Sequence, residues 1–320
     1  MTAKIVFVAP FPDSVNIAKE MAPAGFELVV AAKDSPEYDA AIVDAEYLVG
    51  FVAGLIQEDL YAKASKLKLI QLLSAGYDEA DIAAARRAMI PISNNGGANS
   101  VAVSEHAILL MLAVQRQLLW QHKSVSAGQW RGNQTPKVFE MRDKTVGIIG
   151  LGSIGKKTAR IAKAFGANVI YYDIDRLNEA EEDALGVRFR LRDELLRTAD
   201  VISLHVPLNP STHHMIGREQ LGLLKSSAIL VNTSRGPVID EVALHDVLAA
   251  GSILGAGLDV FDEEPPPQDN PLFSLDNVVL TAHLAGPTFE SHTARVRNGF
   301  DNVQRVARGE TPLWVIPELD

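Results

Sequence analysis

Gly150-Leu151-Gly152-Ser153-Ile154-Gly155 follows a short apolar run at 145–149. It opens a segment, 156–165, in which Ile154, Ala159, Ile161, Ala162 and Phe165 recur at helical spacing. Strand, glycine turn and helix in that order are the context of a dinucleotide-binding turn. The first glycine permits the tight turn, the second lets a pyrophosphate approach the backbone, and the third lets helix pack on strand. Free N–H groups and the positive dipole end of the helix then receive the phosphates. Residues 168–172 read as the next strand, and Asp173 stands at its carboxyl end, eighteen residues after Gly155. A carboxylate there accepts hydrogen bonds from ribose hydroxyls and repels a 2′-phosphate, so the expected cofactor is NAD rather than NADP. Arg176 pulls the other way, and Asp175 beside it adds repulsion. A ligand-free turn closing a βαβ unit shows the same glycines; the full series through Asp173 argues against it.

Working outward, residues 1–99 alternate short apolar strands (5–9, 27–30, 47–50, 69–73) with helical segments (14–21, 39–44, 57–64, 81–88). Residues 145–283 repeat the alternation, with strands at 145–149, 168–172, 187–189, 201–206, 228–232, 254–258 and 278–282. Helices fit at 192–198, 218–224 and 241–250. Alternation of this kind predicts α/β architecture with two doubly wound parallel sheets. Residues 100–120 read as one long buried helix, because few charges interrupt it. The polar segment 121–142 carries Trp130 and reads as an arm packed on a second copy, or as a lid folded on its own domain. A last helix is expected from Pro287 to about Arg308, with 310–320 extended.

The 320 residues suit two domains of ordinary size. A net charge of −10 and a pI near 5.3 argue against nucleic acid or an anionic membrane as partner. With no cysteine there is no disulfide framework or thiolate nucleophile. No apolar run reaches the ~20 residues that span a bilayer, and the first residues do not read as a secretory leader, so a cytoplasmic location is the expectation. No H-E-x-x-H or G-x-S-x-G occurs, and no metal site is expected.

Three strand ends of the second series carry chemistry: Asn232-Thr233-Ser234-Arg235-Gly236, Asp259 to Glu264, and Thr281-Ala282-His283. In a parallel sheet these ends face the same side as the glycine turn. A guanidinium grips carboxylate and carbonyl oxygens in a planar fork. An imidazole gives or takes a hydroxyl proton near neutral pH, and a carboxylate beside it holds it in position. The set suits reduction of a ketone that bears an acid group. The other histidines read as structural or surface residues, with His106, beside Glu105, as a packed, hydrogen-bonded one.

These stretches resemble the D-isomer-specific 2-hydroxyacid dehydrogenase family, in its glyoxylate and hydroxypyruvate reductase-like branch, related to formate and phosphoglycerate dehydrogenases. The marks are GLGSIG at 150–155, HVPLNPSTHHMI at 205–216, NTSRG at 232–236, LDVFDEEP at 258–265 and TAH at 281–283. The resemblance implies a Rossmann domain (100–287) inserted into a flavodoxin-like substrate domain (1–99 and 288–320), with a dimerisation helix and arm at about 100–142. It implies Arg235 as substrate anchor, His283 as acid/base and Glu264 as its partner. Asp259 would hold the nicotinamide carboxamide and Asp173 the ribose. Gly150, Gly152, Ser153, Ile154 and Gly155 would meet the pyrophosphate, with Val206, Pro207, Thr212, Thr233 and His283 also lining the cofactor. Ala75 and Gly76 would hold the substrate carboxylate through their amides, and Asn99 would line the pocket. The expected enzyme interconverts a small 2-oxo acid and its D-2-hydroxy acid with NAD, as a homodimer. Formate oxidation is disfavoured, because the formate enzymes pair their histidine with glutamine and this chain has Glu264. The alternatives are a phosphoglycerate or phosphite dehydrogenase of the same family, or a dinucleotide-sensing corepressor-like binding protein.

Overall fold

The computed structural model describes residues 2–319. The chain begins β1 (Ala3–Val8), α1 (Pro12–Met21), β2 (Phe26–Val30), α2 (Pro36–Ile42), β3 (Tyr47–Gly50), α3 (Glu58–Lys63), β4 (Leu69–Leu72), α4 (Ile82–Ala88) and β5 (Ile92–Ser93). Next come α5 (Ser100–Gln115), α6 (Leu118–Ser126), β6 (Thr145–Ile149), α7 (Ser153–Ala164), β7 (Asn168–Tyr172), α8 (Glu179–Leu185) and β8 (Arg188–Phe189). Then follow α9 (Arg192–Thr198), β9 (Val201–Leu204), α10 (Arg218–Leu221), β10 (Ile229–Asn232), α11 (Glu241–Ala249), β11 (Gly255–Leu258), β12 (Val278–Leu280) and α12 (Phe289–Ala307). Two compact units result: residues up to Asn99 together with those from Pro287 onward, and Ser100–Gly286.

The first unit holds a five-stranded parallel sheet in the order β2-β1-β3-β4-β5. β3 and β4 are buried along their whole length, which is why they read as unbroken apolar runs. One face packs under Ile42, Ile56, Leu60 and Ala85, and the other under Ile17 of α1 and Val296, Phe300 and Val303 of α12. Local signals fix the helix starts: the Ser35 hydroxyl and the Asp81 carboxylate accept from amides three residues on.

The second unit holds a seven-stranded parallel sheet, β12-β11-β10-β9-β6-β7-β8. Strand order reverses between β6 and β9, with Ile149 paired to Leu204 at the carboxyl end. Such a switch point is where open α/β sheets receive ligands. α5 covers one face through Ala107, Leu110, Met111 and Val114.

Four local expectations change. The helix expected over 100–120 breaks at Gln117, whose backbone is left-handed (φ 53°, ψ 44°) and whose side-chain amide donates to the Val114 carbonyl. Apolar Leu118 and Leu119 carry the periodicity across that break, so no punctuating residue marks it. α8 forms where no helix was expected, through a capping box in which Asn178 and Glu181 satisfy each other's amides. The two-residue strand β5 is also new. The segment expected to be extended from Glu310 is so only in part: Val315 forms an isolated antiparallel bridge to Ser93 of β5, and a turn follows at 317–319. Among the described residues no helix is long and apolar enough to cross a membrane.

Candidate active site

The glycine turn joins β6 to α7. Gly150 has φ +93°, and a Cβ there would lie 2.7 Å from the His205 carbonyl, so only glycine fits both the angle and the approach. A Cβ on Gly155 would strike the Gly150 carbonyl, which is why α7 can start so close to the strand. At Gly152, by contrast, a Cβ would meet nothing within 4 Å. The first turn of α7, with Ser153 exposed and Ile154 half-buried, therefore presents backbone N–H groups to open space. Asp173, at the end of β7, reaches back to this turn. Its Oδ2 accepts from the Leu151 amide at 2.5 Å and its Oδ1 from the Asp175 amide at 3.0 Å.

The loop after β9 lies against the turn, for the Val206 side chain crowds the same side of Gly150 as His205. Thr212 braces this loop: its hydroxyl donates to the Pro207 carbonyl at 2.6 Å and accepts from the Asn209 amide at 2.9 Å. After β10, Asn232 organises the next loop. Its Nδ2 donates to the Arg235 carbonyl, and its Oδ1 accepts from the Ser234 amide and hydroxyl. The sequence marks Asn232 only as a strand end, although an asparagine followed two residues on by a serine is a turn signal. The Arg235 guanidinium donates through Nη1 to the Ser234 carbonyl. The neighbouring Thr233 hydroxyl is buried with no partner among the described residues.

Gly236 lets this loop touch the next, since a Cβ there would overlap the Phe261 carbonyl. That contact sets Arg235 beside the loop carrying Glu264. Glu264 Oε1 accepts from the Phe261 amide at 3.1 Å, and Oε2 lies 2.6 Å from His283 Nδ1. Burial alone would raise the Glu264 carboxyl; the hydrogen bond and charge of His283, the Phe261 amide and the Arg235 charge outweigh it and hold the group below the usual carboxylate range. An ionised carboxylate only accepts, so Nδ1 carries the proton of this bond and Nε2 is the nitrogen left for chemistry.

His283 itself has a left-handed backbone, φ +53°. Asp259 holds it there. Its carbonyl accepts from the His283 amide at 2.8 Å, and its carboxylate from the Leu284 and Ala285 amides at 3.0 and 2.9 Å. The Thr281 hydroxyl adds a fourth bond at 2.6 Å. The resemblance places Asp259 against the nicotinamide; the structure shows its side chain only 1% exposed and engaged with the histidine's own loop. Thr281 carries no side-chain signal in the sequence beyond its place before the histidine, and its part in this loop was not foreseen.

One sheet edge thus gathers the glycine turn, Asp173, Val206, Thr233, Arg235, Glu264 and His283. The open backbone at Gly152 and the unpartnered Thr233 hydroxyl fit a dinucleotide laid along that edge. Three expected residues belong to the other unit. Ala75 and Gly76 follow β4, in a loop where the Ser74 hydroxyl donates to the Gly76 carbonyl. Neither of their amides has an acceptor among the described residues. Asn99 closes that unit and accepts through Oδ1 from Asn95 Nδ2.

Comparison with known proteins gives the same reading. Residues 108–285 match the sequence pattern described as D-isomer specific 2-hydroxyacid dehydrogenase, NAD binding domain. The chain is 37% identical over 294 residues to the glyoxylate reductase of Korarchaeum cryptofilum (strain OPF8), covering 90% of this chain and 88% of that one. A crystal structure of D-lactate dehydrogenase from Aquifex aeolicus complexed with NAD and lactic acid superposes with a TM-score of 0.84 at 29% identity, over 96% of each chain. An acyclic imino acid reductase in complex with NADPH and D-Arg does so at 0.85 and 30%, over 98% of this chain and 99% of that one. With sheet order, glycine turn and sequence in agreement, the chain belongs to the D-isomer specific 2-hydroxyacid dehydrogenase family and is an NAD(P)-dependent oxidoreductase.

Proposed function

We propose that this enzyme reduces a small 2-oxo acid to its 2-hydroxy acid, of D configuration where the product is chiral, with NADH as the preferred donor. The observation that carries the proposal is the Glu264–His283 pair, 2.6 Å apart, on a sheet edge shared with Arg235 and the glycine turn. The bound dinucleotide supplies a hydride to the carbonyl carbon. His283 Nε2 hands a proton to the carbonyl oxygen as that oxygen gains charge, and Glu264 balances the imidazolium before transfer. Arg235 holds the acid's oxygens and offsets the developing oxyanion. The seven-stranded unit is the proposed dinucleotide domain. In the five-stranded unit, Ala75, Gly76 and Asn99 are the proposed contacts to the acid.

NAD preference rests on Asp173, and glyoxylate as first substrate rests on similarity to the K. cryptofilum reductase. The proposed partner in solution is a second copy of this chain, covering the exposed apolar side chains of α5, α6 and the following arm. The test is turnover of glyoxylate, hydroxypyruvate, pyruvate and their phosphorylated analogues with NADH and NADPH side by side. Turnover of the small unphosphorylated acids with NADH is expected. Turnover of phosphorylated acids alone would move the substrate to the phosphoglycerate class. Tight NADH binding with no turnover would make the protein a dinucleotide sensor.

A further inference from the structure

Behind the His283 turn, three side chains form a line into the unit. His106 on α5 places Nε2 at 3.0 Å from the Thr281 hydroxyl, and that hydroxyl lies 2.6 Å from Asp259 Oδ1. Asp259 is fully buried and acts only as an acceptor while ionised, so the single hydroxyl proton of Thr281 points at it. The lone pairs of Thr281 are then left for His106, whose Nε2 carries the proton in this bond. The direct approach of His106 to Asp259, 3.6 Å, is too long for a hydrogen bond, so the hydroxyl is the link.

A non-glycine residue held in the left-handed region costs on the order of 1–3 kcal/mol and persists only where its surroundings over-determine it. Here successive amides of 284 and 285 converge on one carboxylate, as in an anion-binding nest. That grip depends on the rotation of the Asp259 carboxylate. Leu284 N and the Thr281 hydroxyl share Oδ1, while Ala285 N takes Oδ2, so the hydroxyl fixes which oxygen faces which amide.

We infer that Thr281, backed by His106, is a positioning residue: its hydroxyl fixes the Asp259 carboxylate, which holds the left-handed turn that aims His283 at Glu264. The link to rate rests on the reading of His283 as acid/base; the link to the turn does not.

The test compares Thr281→Val, which keeps the shape and loses the hydroxyl, with Thr281→Ser, which keeps the hydroxyl. In T281V, kcat for the accepted 2-oxo acid should fall roughly 10- to 100-fold, the usual cost of a misplaced reacting group. Hydrogen exchange at the Leu284 and Ala285 amides should quicken in T281V, and T281S should restore both rate and protection. His106→Leu should shift the same two readouts in the same direction by less. Unchanged exchange at 284 and 285 in T281V, or a T281S variant as impaired as T281V, overturns the inference. A separate His283→Ala variant tests the acid/base reading. If that variant kept full activity, the reading would fall while the amide exchange still decided what Thr281 does.

Discussion

The imidazole of His283 and the carboxylate of Glu264 meet at 2.6 Å across nineteen residues of chain, and the other Glu264 oxygen is tied to the Phe261 amide. One partner of the pair is therefore fixed by backbone on its far side. Glu264→Gln keeps an acceptor and removes the charge. Reduction should slow by roughly 100-fold, the low end of what general acid catalysis contributes, with NADH binding little changed. Since Glu264 is held below its ordinary value of 4.5, it stays ionised as the pH falls toward that value. The wild-type pH–rate profile should show no acid-side loss from this group until below pH 4.5. An acid limb centred well above that value, and absent in E264Q, would contradict an ionised Glu264.

Arg235 follows a loop pinned by Asn232, so its planar head is aimed by backbone rather than by chance rotamer. Arg235→Lys keeps the charge and loses the fork. KM for the acid should rise and kcat fall, together roughly 10- to 100-fold, equivalent to one charge-assisted hydrogen bond. Steady-state kinetics with the acid varied at saturating NADH make the check. A lysine variant with wild-type constants would mean that charge alone suffices.

Asp173 closes the glycine turn through Leu151 N, and in the proposed reading its charge also excludes a 2′-phosphate. Arg176, three residues on, is drawn toward Glu182 and lies 4.8 Å over the Phe189 ring. Asp173→Ser removes the repulsion and leaves Arg176 available. The ratio of kcat/KM for NADH over NADPH should drop at least roughly tenfold, the scale of one hydrogen bond to a charged group. A wild-type preference for NADPH would end the argument from the carboxylate.

The sheets were legible because buried parallel strands are written as apolar runs; β3, β6 and β7 fall where the sequence puts them, to the residue. Arg235 and His283 could be singled out because each stands just past such a run, and Glu264 because the resemblance pairs it with the histidine. Their support could not. Thr281 and His106 lie 175 residues apart, and no local pattern reports a hydrogen bond between a strand-end loop and a distant helix. Gln117 was illegible for another reason, since its left-handed backbone replaces no residue that sequence reasoning treats as a stop. Asp259 was visible as a carboxylate, but its enclosure by the amides of 284 and 285 follows from the turn at His283, a tertiary fact.

His205 lies beneath the glycine turn, half-buried, with its Nδ1 enclosed and Nε2 3.0 Å from the Ser203 hydroxyl. Burial pushes its imidazole down from 6.5 to about 4. Between those two values the unfolded chain takes up a proton that the folded chain refuses, so stability falls as the pH drops through that window. The loss levels off below the folded value and amounts to at most roughly 3 kcal/mol, at ~1.4 kcal/mol per unit. Thermal unfolding followed from pH 7 to pH 4 should show this slope, and His205→Asn should flatten it. Parallel slopes in the two proteins would remove His205 as the cause.

Trp130 is 76% exposed in the single chain, and Val101, Leu109, Leu118, Leu119 and Val125 are also left largely open. On α5 the exposed positions Val101, Glu105 and Leu109 recur every four residues, a stripe along one side of a helix otherwise packed on the sheet. A lid folded on its own unit would hide Trp130, and this arm does not. The proposed second copy would cover this surface, the same stripe and arm meeting their equivalents about a two-fold axis. A stable interface needs on the order of 1,600 Å² in total, more than Trp130 alone supplies, so α5, α6 and the arm must contribute together. Light scattering on purified protein should give about twice the 34.6 kDa chain mass. Replacing both Leu119 and Trp130 by glutamate should return it toward one chain mass, because two like charges would face their own copies across the axis. A monomeric wild type, or a double variant that stays dimeric, would place the contact elsewhere.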